Sequence, residues 1–228
     1  MSITLFGSCR INNILNHNNL NNLVNYPHST KEVIQLIKFL KGELIIPAPY
    51  DRLCFRTGIR DNKCIPYHIS YTKLLLETNI FIIEISSIKK YIHNNFYLHH
   101  LCVDKRFSFC HGNTPTEILD TFTIEKQSDQ EIENDILEIQ RLLINKQIII
   151  VSHYNSKQNG EYIYSRNHLI VLLEFICKKH TIPFINPTVV LSNYTQEQII
   201  TNDLGHYTDF GLNEFSNYVN RYLKSTFK

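Results

Sequence analysis

The sequence predicts an α/β fold built on a doubly wound parallel sheet. Two observations carry this. The apolar runs are continuous rather than alternating, and segments with helical apolar spacing separate them. Continuous runs mark strands covered on both faces, as parallel sheets are. Alternation of the two kinds of segment to the end of the chain calls for right-handed crossovers that lay helices on both sides.

The first strand is read at Ile3–Phe6, which runs into Gly7-Ser8 and a polar turn. A shorter apolar run at Leu53–Phe55 is taken as the second strand. Ile80–Ile85, Ile148–Val151 and Ile182–Ile185 then complete a sheet of about five strands. Between them, Val33, Ile34, Ile37 and Leu40 follow Ser29-Thr30-Lys31-Glu32, and Ile132, Ile136, Ile139 and Leu143 follow Ser128-Asp129-Gln130-Glu131. Both openings read as capping boxes, in which a hydroxyl and a glutamate satisfy the free N–H groups of the first turn. Leu169, Leu172, Leu173 and Ile176 form a third apolar stripe; Leu212, Phe215, Val219 and Tyr222 form a fourth. The stretch 91–127 is the least regular and reads as an insertion or lid. The Asn-rich stretch Asn12–Asn25 reads as a surface loop with a short helix.

A chain of 228 residues suits one domain, 1–228, able to bury a core without disulfides or metal. Net charge is +2, from 23 basic and 21 acidic residues, so no electrostatic footprint for nucleic acid is present. The longest apolar run, Leu169 to Cys177, is interrupted by Glu174 and falls short of the ~20 residues of a membrane span. Met1-Ser2 leads straight into the first strand without the layout of a signal peptide. The six cysteines are irregularly spaced and read as reduced thiols. A cytoplasmic protein is expected, with no membrane partner. No Gly-x-Gly-x-x-Gly follows the first strand, which argues against a nucleotide enzyme, and no cofactor is expected.

Ligands of open α/β sheets gather at the carboxyl ends of the strands. That rule singles out Ser8, Gly58, Ser86, Ser87 and Asn155, each just after an apolar run. The loop after the last strand brings Asp203-Leu204-Gly205-His206 to the same edge. A hydroxyl, an imidazole and a carboxylate are what a serine hydrolase needs. Each group also has a plainer reading: Ser8 as a helix N-cap, Asp203 as an Asx-turn beside an exposed His206. Cys9 is a second candidate nucleophile, although a cysteine there more often packs. Glu84 is a charge inside an apolar run and needs a partner, for which Arg10, Arg56 and Lys89 are the candidates. Arg166 opens a helix and is assigned no role. His99, His100, Cys102, Cys110 and His111 crowd one stretch, but their spacing matches no close-paired zinc pattern, and no metal is expected.

Gly7-Ser8 and Asp203-x-x-His206, with Tyr207-Thr208 and Gly211 after it, resemble the first and last blocks of the SGNH (GDSL-like) hydrolases. Gly7-Ser8-Cys9 is also similar to the Gly-Ser-Cys-Phe-Ala (GSCFA) subgroup, with Arg10 in place of the Phe. The resemblance implies a three-layer α/β/α sandwich with flavodoxin-like strand order 2-1-3-4-5. It implies Ser8 as nucleophile, His206 as general base and Asp203 as its orienter. The family's oxyanion donors are a glycine after the second strand, matched by Gly58, and an asparagine after the third, where Ser86 and Ser87 stand instead. Asn155 is the alternative donor from the next strand. The function so implied is an esterase or O-acyltransferase working through an acyl-serine. Its substrate would be a small-molecule or glycan ester, with O-acetylated carbohydrate suggested by analogy. The competing reading is the same fold with a decayed oxyanion hole, serving as a binding or scaffold module.

Overall fold

The computed structural model describes residues 2–12, 14–15, 26–103 and 114–227. Along the chain run β1 (Ile3–Phe6), α1 (Cys9–Asn12), α2 (Thr30–Leu40), α3 (Tyr50–Leu53), α4 (Arg56–Asp61), α5 (Ile69–Glu77) and β2 (Ile80–Ile85). Next come β3 (Lys89–His93), β4 (Phe96–Tyr97), α6 (Thr116–Thr121), β5 (Thr123–Lys126), α7 (Asp129–Leu142) and β6 (Gln147–Ser152). The last part holds β7 (Lys157–Gln158), β8 (Glu161–Tyr162), α8 (Tyr164–Lys179), β9 (Phe184–Ile185), α9 (Pro187–Val190), α10 (Gln196–Ile199) and α11 (Asp209–Thr226).

The main sheet has the order β1-β2-β6-β9, and every neighbouring pair is parallel. All six residues of β2 are buried, as its unbroken apolar run requires. Phe81, Ile83 and Ile85 face a cluster built with Val33 and Ile37 of α2, Ile136 and Ile139 of α7, and Leu173 and Ile176 of α8. Ile80 and Ile82 face the opposite cluster, with Ile11, Leu191, Ile199 and the α11 residues Phe215, Val219 and Leu223. Helices therefore cover both faces, giving three α/β/α layers.

The sheet differs from expectation at one edge. Leu53–Phe55 is not a strand: Leu53 ends α3 and Phe55 precedes α4. Tyr50, Leu53, Phe55 and Ile59 are all buried, but on two short helices, and a run of three apolar residues carries too little period to separate the two forms. Among the described residues the parallel sheet thus has four strands. Its order is the expected one without its second member, and β1 lies at the edge. The last strand is also shorter than Ile182–Ile185. Ile182 is buried ahead of it, and Pro183, which has no N–H, offers only its carbonyl, to Ile150.

The stretch read as irregular contains a separate antiparallel sheet of order β4-β3-β5, while 104–113 lies outside the described residues. Most of Asn12–Asn25 lies outside them as well. At α7 the capping box forms as expected: Glu131 N–H donates to the Ser128 hydroxyl, and Ser128 N–H donates to the Glu131 carboxylate. At α2 the Ser29 hydroxyl accepts from Glu32 N–H, but the Glu32 carboxylate reaches one residue farther, to His28 N–H at 2.9 Å. Among the described residues no helix is long and apolar enough to cross a membrane.

Candidate active site

The carboxyl ends of β1, β2 and β6 meet the loop that leads into α11. Gly7 follows β1 at a position where a Cβ would stand 2.6 Å from Glu84 Cβ, so only glycine fits. That close approach brings Ser8 onto Glu84. The carboxylate is 1% exposed and accepts both the Ser8 N–H, at 2.8 Å, and the Ser8 hydroxyl, at 2.5 Å, on Oε2. Arg10 Nε donates to its other oxygen at 3.1 Å. Arg10 is thus the partner that the buried charge required. Ser8 is fully buried, and no hydrogen bond joins it to His206.

Asp203 and His206 form a pair. The imidazole Nδ1 lies 2.5 Å from Asp203 Oδ2, while Oδ1 accepts from the Thr201 hydroxyl and from the N–H groups of Gly205 and His206. Burial alone would raise this carboxyl. The hydrogen bonds from His206, Gly205 and Thr201 outweigh it and hold Asp203 well below the usual carboxylate range. One aspartate therefore makes the Asx-turn and orients the histidine as well. Leu204 sits at φ 58°, in the left-handed region. Its carbonyl accepts from Arg166 at 2.7 Å and from the Ser156 hydroxyl at 3.0 Å. Arg166, for which the sequence suggested no role, braces this loop against the end of β6, and burial lowers its guanidinium to about 10. Gly211 seats the far end of the loop, since a Cβ there would stand 2.3 Å from the Ile199 carbonyl.

His206 lines a cleft of about 400 Å³ together with Cys9 and Arg10 of α1 and Arg56 and Arg60 of α4. His28, His99 and His100 line it too, with Arg56 stacked over the Tyr26 ring at 4.2 Å. Burial, with the neighbouring histidines and Arg10, lowers His28; burial, with His100 and Arg56, lowers His99. Ring nitrogens of His28, His99 and His100 lie within 4.8 Å of one another and could hold a metal ion. A cation there would face three arginines without a carboxylate among the residues lining the cleft. Of the zinc candidates in the sequence, Cys110 and His111 lie outside the described residues, and Cys102 donates to the His99 carbonyl.

The candidate oxyanion residues are not gathered at this cleft. Gly58 lies inside α4 rather than after a strand, and its carbonyl closes the helix end on Lys63 N–H. Ser86 and Ser87 both give their N–H to the His28 carbonyl. The Ser86 hydroxyl meets His28 Nδ1, and the Ser87 hydroxyl accepts from Lys89 N–H. Asn155 gives its amide to Asn167 and lines a different cleft, with Tyr154, Lys157 and Thr188. The sequence reading weighed Arg56 only as a partner for Glu84 and passed over Arg60 and His28. The available signal was Arg56-x-x-x-Arg60, two like charges one helical turn apart with no acid to separate them.

The family model of the TviD N-terminal domain matches residues 1–117 and 111–225. The chain belongs to the TviD N-terminal domain family. A relative in sequence is the Vi polysaccharide biosynthesis protein TviD of Salmonella typhi, 24% identical over 91% of this chain. The chain spans only 30% of that protein's length. Among solved structures, an aryl esterase of M. smegmatis is 10% identical over 98% of both chains, with TM-score 0.40. A GDSL-like lipase of Bacteroides thetaiotaomicron is 13% identical over 86% of this chain and 98% of its own, with TM-score 0.36. Likenesses this distant say nothing about the chemistry of this TviD N-terminal domain.

Proposed function

We propose that this domain is a serine acyl hydrolase or O-acyltransferase that acts on a carbohydrate ester. The observation that carries the reading is the Asp203–His206 pair, held on a braced loop and opening onto the cleft that the residues after Ser8 also line. Membership of the TviD N-terminal domain family, and a relative named for polysaccharide biosynthesis, support a carbohydrate substrate. In the proposed reaction the Ser8 hydroxyl leaves Glu84, gives its proton to His206 Nε2 and attacks the ester carbonyl. His206 returns that proton to the departing alcohol. Water or an acceptor hydroxyl then takes the acyl group from Ser8, with His206 again as base. Two clusters on the two faces of one sheet support a single domain over 1–228. His99 and His100 at the cleft support the described part of 91–127 as its cover.

A second reading, a binding module on the same scaffold, is favoured by the buried Ser8 hydroxyl, which is held by Glu84. A fluorophosphonate probe separates the two. Labelling of the wild type that disappears in Ser8→Ala is the expected outcome. A folded wild type that takes no label would overturn the hydrolase reading.

A further inference from the structure

The cleft carries positive charge that the protein does not balance. Arg10 is matched by Glu84 at 3.1 Å. Arg56 and Arg60 stand one turn apart on α4, where like charges repel. Neither has an acidic partner among the described residues: Arg56 has the Tyr26 ring beneath it, and Arg60 is exposed. Two guanidinium groups lining one cleft, with an aromatic face orienting one of them, make a receptor for a group with two or more anionic oxygens.

We infer that Arg56 and Arg60 form an anion subsite that takes a carboxylate or phosphate on the substrate. The subsite deepens the acyl-transfer reading and rests on it for its use. It selects an acidic carbohydrate or a phosphate-bearing acyl donor over a neutral ester, and it anchors that ligand in the cleft that His206 also lines. Repulsion between the two arginines, unfavourable in the empty domain, becomes attraction toward the bridging anion. Affinity should then fall as salt rises.

Calorimetric titration with pyrophosphate and with citrate, at fixed ionic strength, tests this. Saturable binding of one or both probes is expected, about tenfold weaker for each guanidinium lost in Arg60→Gln and in Arg56→Gln/Arg60→Gln, from the charge-assisted hydrogen bonds removed. Pyrophosphate binding alone assigns a phosphate ligand, and citrate alone a carboxylate. No saturable binding to the wild type, or equal binding to wild type and both variants, would overturn the subsite. Exposed Arg60 makes the single variant a safe one to fold, and circular dichroism checks the double. Fluorophosphonate labelling of the same samples keeps the two ideas apart. Label without anion binding removes the subsite alone. Anion binding without label removes the acyl-transfer reading and leaves an anion-binding module.

Discussion

Glu84 holds three donors: the N–H and hydroxyl of Ser8 and the guanidinium of Arg10. Its carboxylate is 1% exposed, so its solvation comes entirely from these bonds. Glu84→Gln keeps the shape, leaves Arg10 without its counter-charge, and should cost about 3 kcal/mol of stability by urea unfolding, as a broken buried pair does. A loss near zero would mean that water or another group already neutralises Arg10. That Glu84 needs a partner was legible in the sequence. Which one was not, because Arg10, Arg56 and Lys89 are equivalent without the register. Pairing of Phe6 with Ile83 puts the residues just past β1 beside Glu84 and decides for Arg10. The same geometry turns the Ser8 hydroxyl toward Glu84, which no spacing of residues could reveal.

Gly7 shows how an element's end is set by its neighbour. Gly7→Ala puts a methyl 2.6 Å from Glu84 Cβ and 2.8 Å from Ile11 Cδ1, so β1 must move off β2. Overpacking of this kind should cost about 1–3 kcal/mol, read by thermal or urea unfolding, and unchanged stability would show that the strand end is loose. Long elements were legible for simple reasons: the stripes of α2, α7, α8 and α11 and the unbroken run of β2 exceed what either period alone could produce by accident. Short ones were not. Leu53–Phe55 read as a strand because its burial was right and its backbone form was undetermined. The second of the two short helices made there, α4, carries both Arg56 and Arg60, so the cleft's charge was hidden by the same error.

For the whole molecule, buried titrating groups set the pH range of stability. Burial lowers His28, His99 and His153, so the folded protein binds fewer protons than the unfolded chain. Stability should therefore fall as pH drops below the unfolded histidine value of about 6.5. Burial raises Glu32 to about 8, and the folded state there binds more protons than the unfolded. Stability should then also fall as pH rises from the ordinary carboxylate range to about 8. The melting temperature is expected to peak near neutrality. Glu32→Gln should remove this fall across the whole window from the ordinary carboxylate range to about pH 8, and a variant that tracks the wild type from pH 6 to 9 would contradict the assignment.

The loop that bears His206 is tied at three points: Thr208 N–H on Ile199, Gly211 against that same residue, and Leu204 under Arg166 and Ser156. Its imidazole is half-exposed, yet the backbone that carries it has no slack. Solvent touches the ring without loosening the pivot, so the reach of the proposed base is set by χ angles alone. If the Ser8 hydroxyl and His206 are to meet, the travel falls to the serine, and the gate on the reaction is the strength of Glu84's grip.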